Sequence, residues 1–163
     1  MFREMRRKKQ SLSTEKCAEL LRQGTSGVLA VLGDAEYPYA VPLSYVYTDN
    51  KIYFHSAVNG HKLDAVKNHD KASFCVIAQD LVVPEKYTTY YRSVIAFGRI
   101  RILEDAQEKR NAVEKLALKY TPNDPAEKRD AEIGRSQETL CMLEMTVEHL
   151  TGKEAKELAA ARN

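Results

Sequence analysis

The chain is predicted to fold as a mainly β protein, an antiparallel barrel with added helices, and three observations lead there. Stretches of alternating or continuous apolar character, rich in Val, Ile, Tyr and Phe, recur about six times. Polar turn dipeptides such as Gly33-Asp34 and Asp49-Asn50 separate them at hairpin distances. Helical periodicity sits at the start, in one short central segment and late in the chain, without the regular strand–helix alternation that builds a parallel sheet.

Ser13 is placed to cap a helix whose Cys17, Leu20 and Leu21 fall at i, i+3 and i+4, with Gly24 to end it. Residues 28–32 read as a buried strand. Residues 39–48 read as a longer one, with Val41, Leu43, Tyr45 and Tyr47 on one face, closed by Asp49-Asn50 into a strand over 51–56. Gly60 precedes a short helix at about 61–69, followed by a strand at 72–79 and a loop containing Pro84. Residues 90–103 make the longest strand pattern, and Gly98 in its middle implies a bulge or a close approach. A helical insertion at about 105–134 carries Val113, Leu116, Ala117 and Tyr120 on one stripe, and Asp124-Pro125-Ala126-Glu127 caps its second helix, which Gly134 should end. The last strand, 139–151, turns Cys141, Leu143, Met145 and Val147 inward and Glu144, Thr146 and Glu148 outward; residues 153–163 form a polar tail.

A chain of 163 residues that is 44% apolar and 29% charged buries one ordinary core, so residues 1–163 are read as a single domain. The formal charge of +2 is concentrated: Arg3, Arg6, Arg7, Lys8 and Lys9 against Glu4 give the arm over residues 1–10 a charge of +4, which leaves −2 for the rest. That balance argues against a basic nucleic-acid face; an arm-driven nucleic-acid protein would need residues 3–9 to do all the binding. The longest apolar runs, such as residues 28–32, are far too short to cross a bilayer, and the basic start lacks a signal-peptide core, so no membrane partner and a cytoplasmic location are expected. Cys17, Cys75 and Cys141 are odd in number and set among apolar neighbours, as reduced thiols would be.

No nucleophile elbow, phosphate-binding Walker loop, dinucleotide glycine fingerprint or Cys-x-x-Cys pair is present. The segment from Tyr53 to Lys62 holds the most chemistry. A strand ends in His55, Ser56 and Ala57, the chain turns through Gly60, and a helix starts under His61 and Lys62, an arrangement suited to an anion at exposed helical N–H groups. A hairpin end with a solvated lysine and a capping glycine fits the same spacing. His55, His61 and His69 fall on no common helical turn and lack supporting carboxylates or thiols, so no metal site is expected. Pro42 inside a strand marks an edge, a bulge or a place where a ligand replaces the neighbour, which would free the backbone of Val41 and Leu43 for a planar heterocycle. Tyr91-Arg92-Ser93 adds an aromatic plane, a cation and a hydroxyl at the start of the long strand.

Taken in order, Met5-Arg6-Arg7-Lys8 with Gln10, Gly27-Val28-Leu29-Ala30, Tyr37-Pro38-Tyr39-Ala40-Val41-Pro42-Leu43, Ile52-Tyr53-Phe54-His55-Ser56-Ala57, Gly60-His61-Lys62, Tyr91-Arg92-Ser93-Val94, Phe97-Gly98 and Leu150-Thr151-Gly152-Lys153-Glu154 cover nearly the whole chain. The ordered set resembles the FMN-binding split-barrel family related to pyridoxamine 5'-phosphate oxidase, most closely its nitroimidazole-resistance branch. The resemblance implies a six-stranded antiparallel split β-barrel that forms a homodimer with FMN in clefts between the subunits. It assigns the backbone of Val41, Pro42, Leu43 and Ser44 to the polar edge of the flavin ring. It gives His55, Ser56, Ala57, Gly60, His61 and Lys62 to the ribityl phosphate and ring flank, and Tyr91, Arg92 and Ser93 to the strand that completes the cleft against the partner's flavin.

His55 matches a histidine implicated in nitro-compound reduction, so the resemblance implies a flavin-dependent oxidoreductase with His55 as the reactive-site residue and a small planar acceptor, nitroaromatics among them. NADH or NADPH as reductant would bind transiently over the flavin. The chain has no Trp and lacks the Trp- and Arg-containing end of true pyridoxamine phosphate oxidases, which argues against vitamin oxidation. The competing reading is a non-catalytic flavin- or haem-binding module of the same fold, with His149 or His61 as a candidate axial ligand.

Overall fold

Ser13 begins the first helix as expected: its hydroxyl accepts from the Lys16 N–H at 3.2 Å, and Cys17, Leu20 and Leu21 of α1 (Thr14–Gln23) are buried. The computed structural model describes residues 2–136 and 139–162. In them α1 leads into β1 (Ser26–Leu32), β2 (Pro38–Ser44), β3 (Val46–Thr48) and β4 (Lys51–Ala57). Then come α2 (His61–Asn68), β5 (Lys71–Val83), β6 (Thr88–Ile102), α3 (Ala106–Tyr120), α4 (Ala126–Ser136), β7 (Leu140–Glu154) and α5 (Lys156–Ala160).

All the strand pairings are antiparallel, in one sheet of order β2-β1-β5-β6-β7-β4-β3. The sheet therefore has seven strands where six were expected, and no ladder closes it into a barrel. Both differences come from Tyr45. The strand expected over residues 39–48 breaks there, and its two halves pair at opposite edges of the sheet. The phenol of Tyr120, the last residue of α3, removes Tyr45 from either ladder: its oxygen accepts from the Tyr45 N–H at 3.0 Å and lies 3.1 Å from the Tyr45 carbonyl, and its O–H also reaches the Thr25 carbonyl. Since one residue joins the two edge strands, the sheet must curl until its edges lie side by side.

Leu29, Tyr45, Phe54, Phe74, Val94, Ile100, Leu143 and Met145 fill the concave side with residues of α1 and α2. Val41, Leu43, Tyr45 and Tyr47 do share the inward face. Gly98 is both a bulge and a close approach: the β6–β7 register slips between Phe97 and Gly98, and a Cβ at 98 would collide with the Thr146 carbonyl oxygen. A second core lies outside the sheet, where α3 sets Ala112 and Leu116 on Val46, Tyr53, Leu103 and Met142.

Three sequence expectations change. Glu144 points outward, but α3 buries it to 5% exposure, where it accepts from Lys51 at 2.9 Å and Arg101 at 3.0 Å. Gly134 does not end α4, which runs on to Ser136. The tail expected over 153–163 starts inside β7 and includes Glu154, which is fully buried: Arg92 donates to it at 3.0 Å, Arg162 pairs with its other oxygen at 2.6 Å outside hydrogen-bond geometry, and Gln10 donates to its carbonyl at 3.0 Å. The basic arm is thus anchored where it ends, and both chain ends meet at one residue. Among the described residues no helix is long and apolar enough to cross a membrane, and no His, Cys, Asp and Glu cluster could hold a metal.

Candidate functional site

The curl leaves two strand edges facing one another. β2 pairs only with β1, and β4 pairs with β3 only through residues 51–53, so residues 41–43 and 54–57 offer unpaired N–H and C=O groups across the gap where β2 and β4 approach. Pro42 therefore lies on an edge strand, where its missing N–H costs least. An open edge is ordinarily a liability for a sheet. Here it is enclosed, and its backbone groups are suited to the rim of a planar polar molecule.

Both ends of the gap are held. Tyr45 spans one. At the other, the first residue of α2 latches onto the β1–β2 hairpin: the His61 ring stacks on Tyr39, with centroids 4.2 Å apart, and Nε2 accepts from the Asp34 N–H at 3.3 Å. His61 is thus engaged with the protein itself.

Gly60 has φ +127° and ψ 164°, a conformation open to glycine, and caps α2 with no side-chain hydrogen bond. Its carbonyl takes the N–H groups of both Leu63 and Asp64, while those of His61 and Lys62 lie too early in the helix for an intrahelical partner. Lys62 is half-buried, and its ammonium has no hydrogen bond or ion pair among the described residues. Burial lowers its pKa, against the opposing pull of the nearby Cys141 thiol. Cys141 sits opposite Ser56 in the β4–β7 ladder. Burial pushes this thiol up, while the charges of Lys109, Lys62 and Lys67 draw it back, so cations from α2 and α3 converge at this end of β4. Lys67 and Lys109 escaped the sequence reading because nothing local in a helical sequence shows which sheet residue it will face.

The alternation of β4 separates two residues that the sequence grouped. Ser56 is buried, whereas His55 is exposed on the outer face beside Met142, where it lines a cavity of about 210 Å³ with residues of α3 and α4. The exposed Ala57 closes the strand. Tyr91, Arg92 and Ser93 lie elsewhere. Arg92 and Ser93 pair with Glu154 and Lys153 at the C-terminal end of β7, and the Tyr91 carbonyl accepts from the Ala155 N–H just beyond it, whereas His55, Ser56 and Ala57 pair with Met142, Cys141 and Leu140 at its N-terminal end, 11 to 14 residues or roughly 36–46 Å away at ~3.3 Å per residue. One chain cannot bring the two groups onto one small ligand. Arg92 is occupied by Glu154 and by Gln79, to whose side chain it donates at 3.1 Å, and Lys153 lies over the Tyr91 ring. His149, named with His61 as a possible axial ligand, stacks against Phe2 with centroids 4.5 Å apart and planes 9° from parallel.

A curled antiparallel sheet with facing open edges, a glycine-started helix and a lysine lacking an anion together form a cleft whose donors match the chemistry of a flat polar ring with an anionic tail. The chain belongs to the pyridoxamine 5'-phosphate oxidase family, whose profile matches residues 13–154. No curated protein matches it. Among solved structures, a candidate 5-nitroimidazole antibiotic resistance protein from Bacteroides thetaiotaomicron is 19% identical, with 88% of this chain and 86% of that one covered at a TM-score of 0.76. The flavocytochrome Anf3 from Azotobacter vinelandii is 14% identical over 93% and 72% of the two chains, TM-score 0.76. An FAD and haem binding protein from Mycobacterium smegmatis is 20% identical over 95% and 80%, TM-score 0.73. At these identities the likeness establishes the fold.

Proposed function

We propose that the protein is an FMN-dependent oxidoreductase that reduces a small planar acceptor, nitroaromatics among them, and works as a homodimer with two flavin sites between its subunits. The observation that carries this reading is Lys62, a half-buried ammonium without a carboxylate beside two unbonded helical N–H groups and the bare Gly60 turn. That donor set fits a phosphate monoester, and the open edges of β2 and β4 fit the polar rim of a flavin. When bound, FMN would supply two-electron redox chemistry. This chain's own part is to neutralise the phosphate through Lys62, to meet the ring's rim with the backbone of residues 41–43, and to place the exposed His55 within reach of an acceptor. The pairing of Tyr91, Arg92 and Ser93 far from His55 agrees with a site completed by a second copy. NADH or NADPH is proposed as a transient reductant.

The test is a visible spectrum of the purified protein, repeated after FMN addition and again under anaerobic NADH and NADPH. Flavin bands bleached by a pyridine nucleotide are expected. Lys62→Ala should weaken FMN binding 10- to 100-fold, or about 1.4–2.7 kcal/mol, by fluorescence titration. His55→Ala should retain FMN and lower the rate of nitroaromatic reduction. Failure to bind FMN would overturn the proposal, and a haem band in its place would favour a binding module of the same fold.

A further inference from the structure

The insertion between β6 and β7 does more than roof the sheet. α3 and α4, with the outer face of β4 and β7, line an open pocket of about 210 Å³ to which His55 also contributes. It is lined by Met142 and Leu140 of β7, by Val113, Leu116 and Ala117 of α3, and by Ile133 of α4. Apart from His55, its polar lining is Glu132.

The helices that line it are tied down at both ends of α3. Asp105 caps α3 by accepting from the N–H groups of Gln107 and Glu108, and Arg101 holds Glu108 at 2.8 Å. At the other end Tyr120 is tied to Tyr45 and Thr25, and Lys119 to the Gly24 carbonyl. α4 is braced by Arg110 to Asp130 at 2.8 Å. These contacts hold the two helices above the sheet at several points along their length.

We infer that this cavity is a binding site for a small, uncharged, single-ring aromatic or heteroaromatic molecule. Size sets the upper limit: an apolar cavity of about 150 Å³ accommodates benzene, and drug-sized ligands need roughly 300 Å³ or more. Charge sets the class. Aliphatic walls and the Met142 thioether favour a ring face, no Lys or Arg among the described residues lines the pocket to neutralise an anion, Glu132 being itself paired with Arg135 at 3.1 Å, and the exposed His55 offers one polar contact for a ring substituent. The inference takes from the flavin proposal only the identification of this ring with the acceptor; the binding itself does not depend on it.

The experiment is a titration of the full-length, flavin-free protein with nitrobenzene, followed by methyl NMR, with 4-nitrobenzoate as the charged control and FMN affinity measured on the same samples. Saturable shifts at the Leu116, Ile133, Leu140 and Met142 methyls are expected, at least 10-fold weaker for 4-nitrobenzoate and abolished in Ala117→Trp. If that variant does not fold, Val113→Phe tests the same wall. The inference is overturned if these methyls do not respond, if the shifts survive a folded filling variant, or if the benzoate binds as tightly. Ring binding without FMN binding would sink the flavin proposal and leave the pocket standing; FMN binding without ring binding would do the reverse.

Discussion

The two halves of the sheet's outer surface have different fates. Over β3, β4 and β7, α3 provides a cover, and the polar groups beneath it are paired: Glu144 with Lys51 and Arg101, and Arg101 with Glu108. Over the outer face of β1, β2, β5 and β6 no helix lies among the described residues, and Val28 and Ile77 lie open there, Ile77 at 68% exposure; at the β5–β6 tip Leu81, Val82 and Tyr87 are exposed too, Tyr87 at 99%. The roofed half is complete in one chain. The bare half has the apolar character of a surface that a second copy would cover.

Gly98 belongs to the β6–β7 ladder that carries both halves, so it gives the largest effect. Gly98→Val should cost more than about 4 kcal/mol, since the new side chain must displace the Thr146 backbone, and chemical denaturation should find the variant unfolded or nearly so. A folded, stable variant would mean that the two halves are not tied through that contact. Next comes Ile77→Glu on the bare half. It should convert the dimer proposed above to a monomer in sedimentation, weakening association 100-fold or more while the melting temperature of the single chain hardly moves. An unchanged mass would leave the contrast between the halves without a functional meaning.

The smallest effect lies under the roof. Burial works against ionisation of Glu144, yet Lys51 and Arg101 hold its carboxyl below the usual carboxylate range. A carboxylate depressed in the folded state contributes stability that is present above the ordinary carboxylate value and lost as pH falls through the folded one. Glu144→Gln should therefore cost about 1–2 kcal/mol at pH 7 and flatten the acid limb of a stability–pH curve. An acid limb of unchanged slope would remove Glu144 from that role.

Local patterns were legible wherever local chemistry decides them. The Ser13 cap, the left-handed pair Asp49 and Asn50 and the crowded Gly98 were all readable, because each depends on a few neighbouring residues. The break at Tyr45 was not, since its cause is a phenol 75 residues away that competes for one N–H group. The same limit applies at the site. Lys62 and Gly60 stand out from their own turn, while the convergence of Lys109 on Cys141 and the cavity under α4 exist only once the insertion has folded back over β4 and β7. His61 reads as an anion ligand from spacing and is found stacked on Tyr39, because no spacing rule tells which way the first side chain of a helix will turn.

The passage through Tyr45 bears on how this architecture can change its ligand. Two virtual bonds of 3.8 Å keep the Cα atoms of Ser44 and Val46 within about 7.6 Å, so an insertion or a deletion there would alter the width of the gap. The width of the cleft is consequently fixed by the backbone of this chain at one residue. Within residues 106–136 Tyr120 shares that constraint through its bonds to Tyr45, and Ala112 and Leu116 are committed to the second core, whereas the exposed positions of α4 carry neither duty. If the pocket beside His55 takes the acceptor as inferred above, variation aimed at new acceptors belongs on its α4 side, with Tyr120 left untouched.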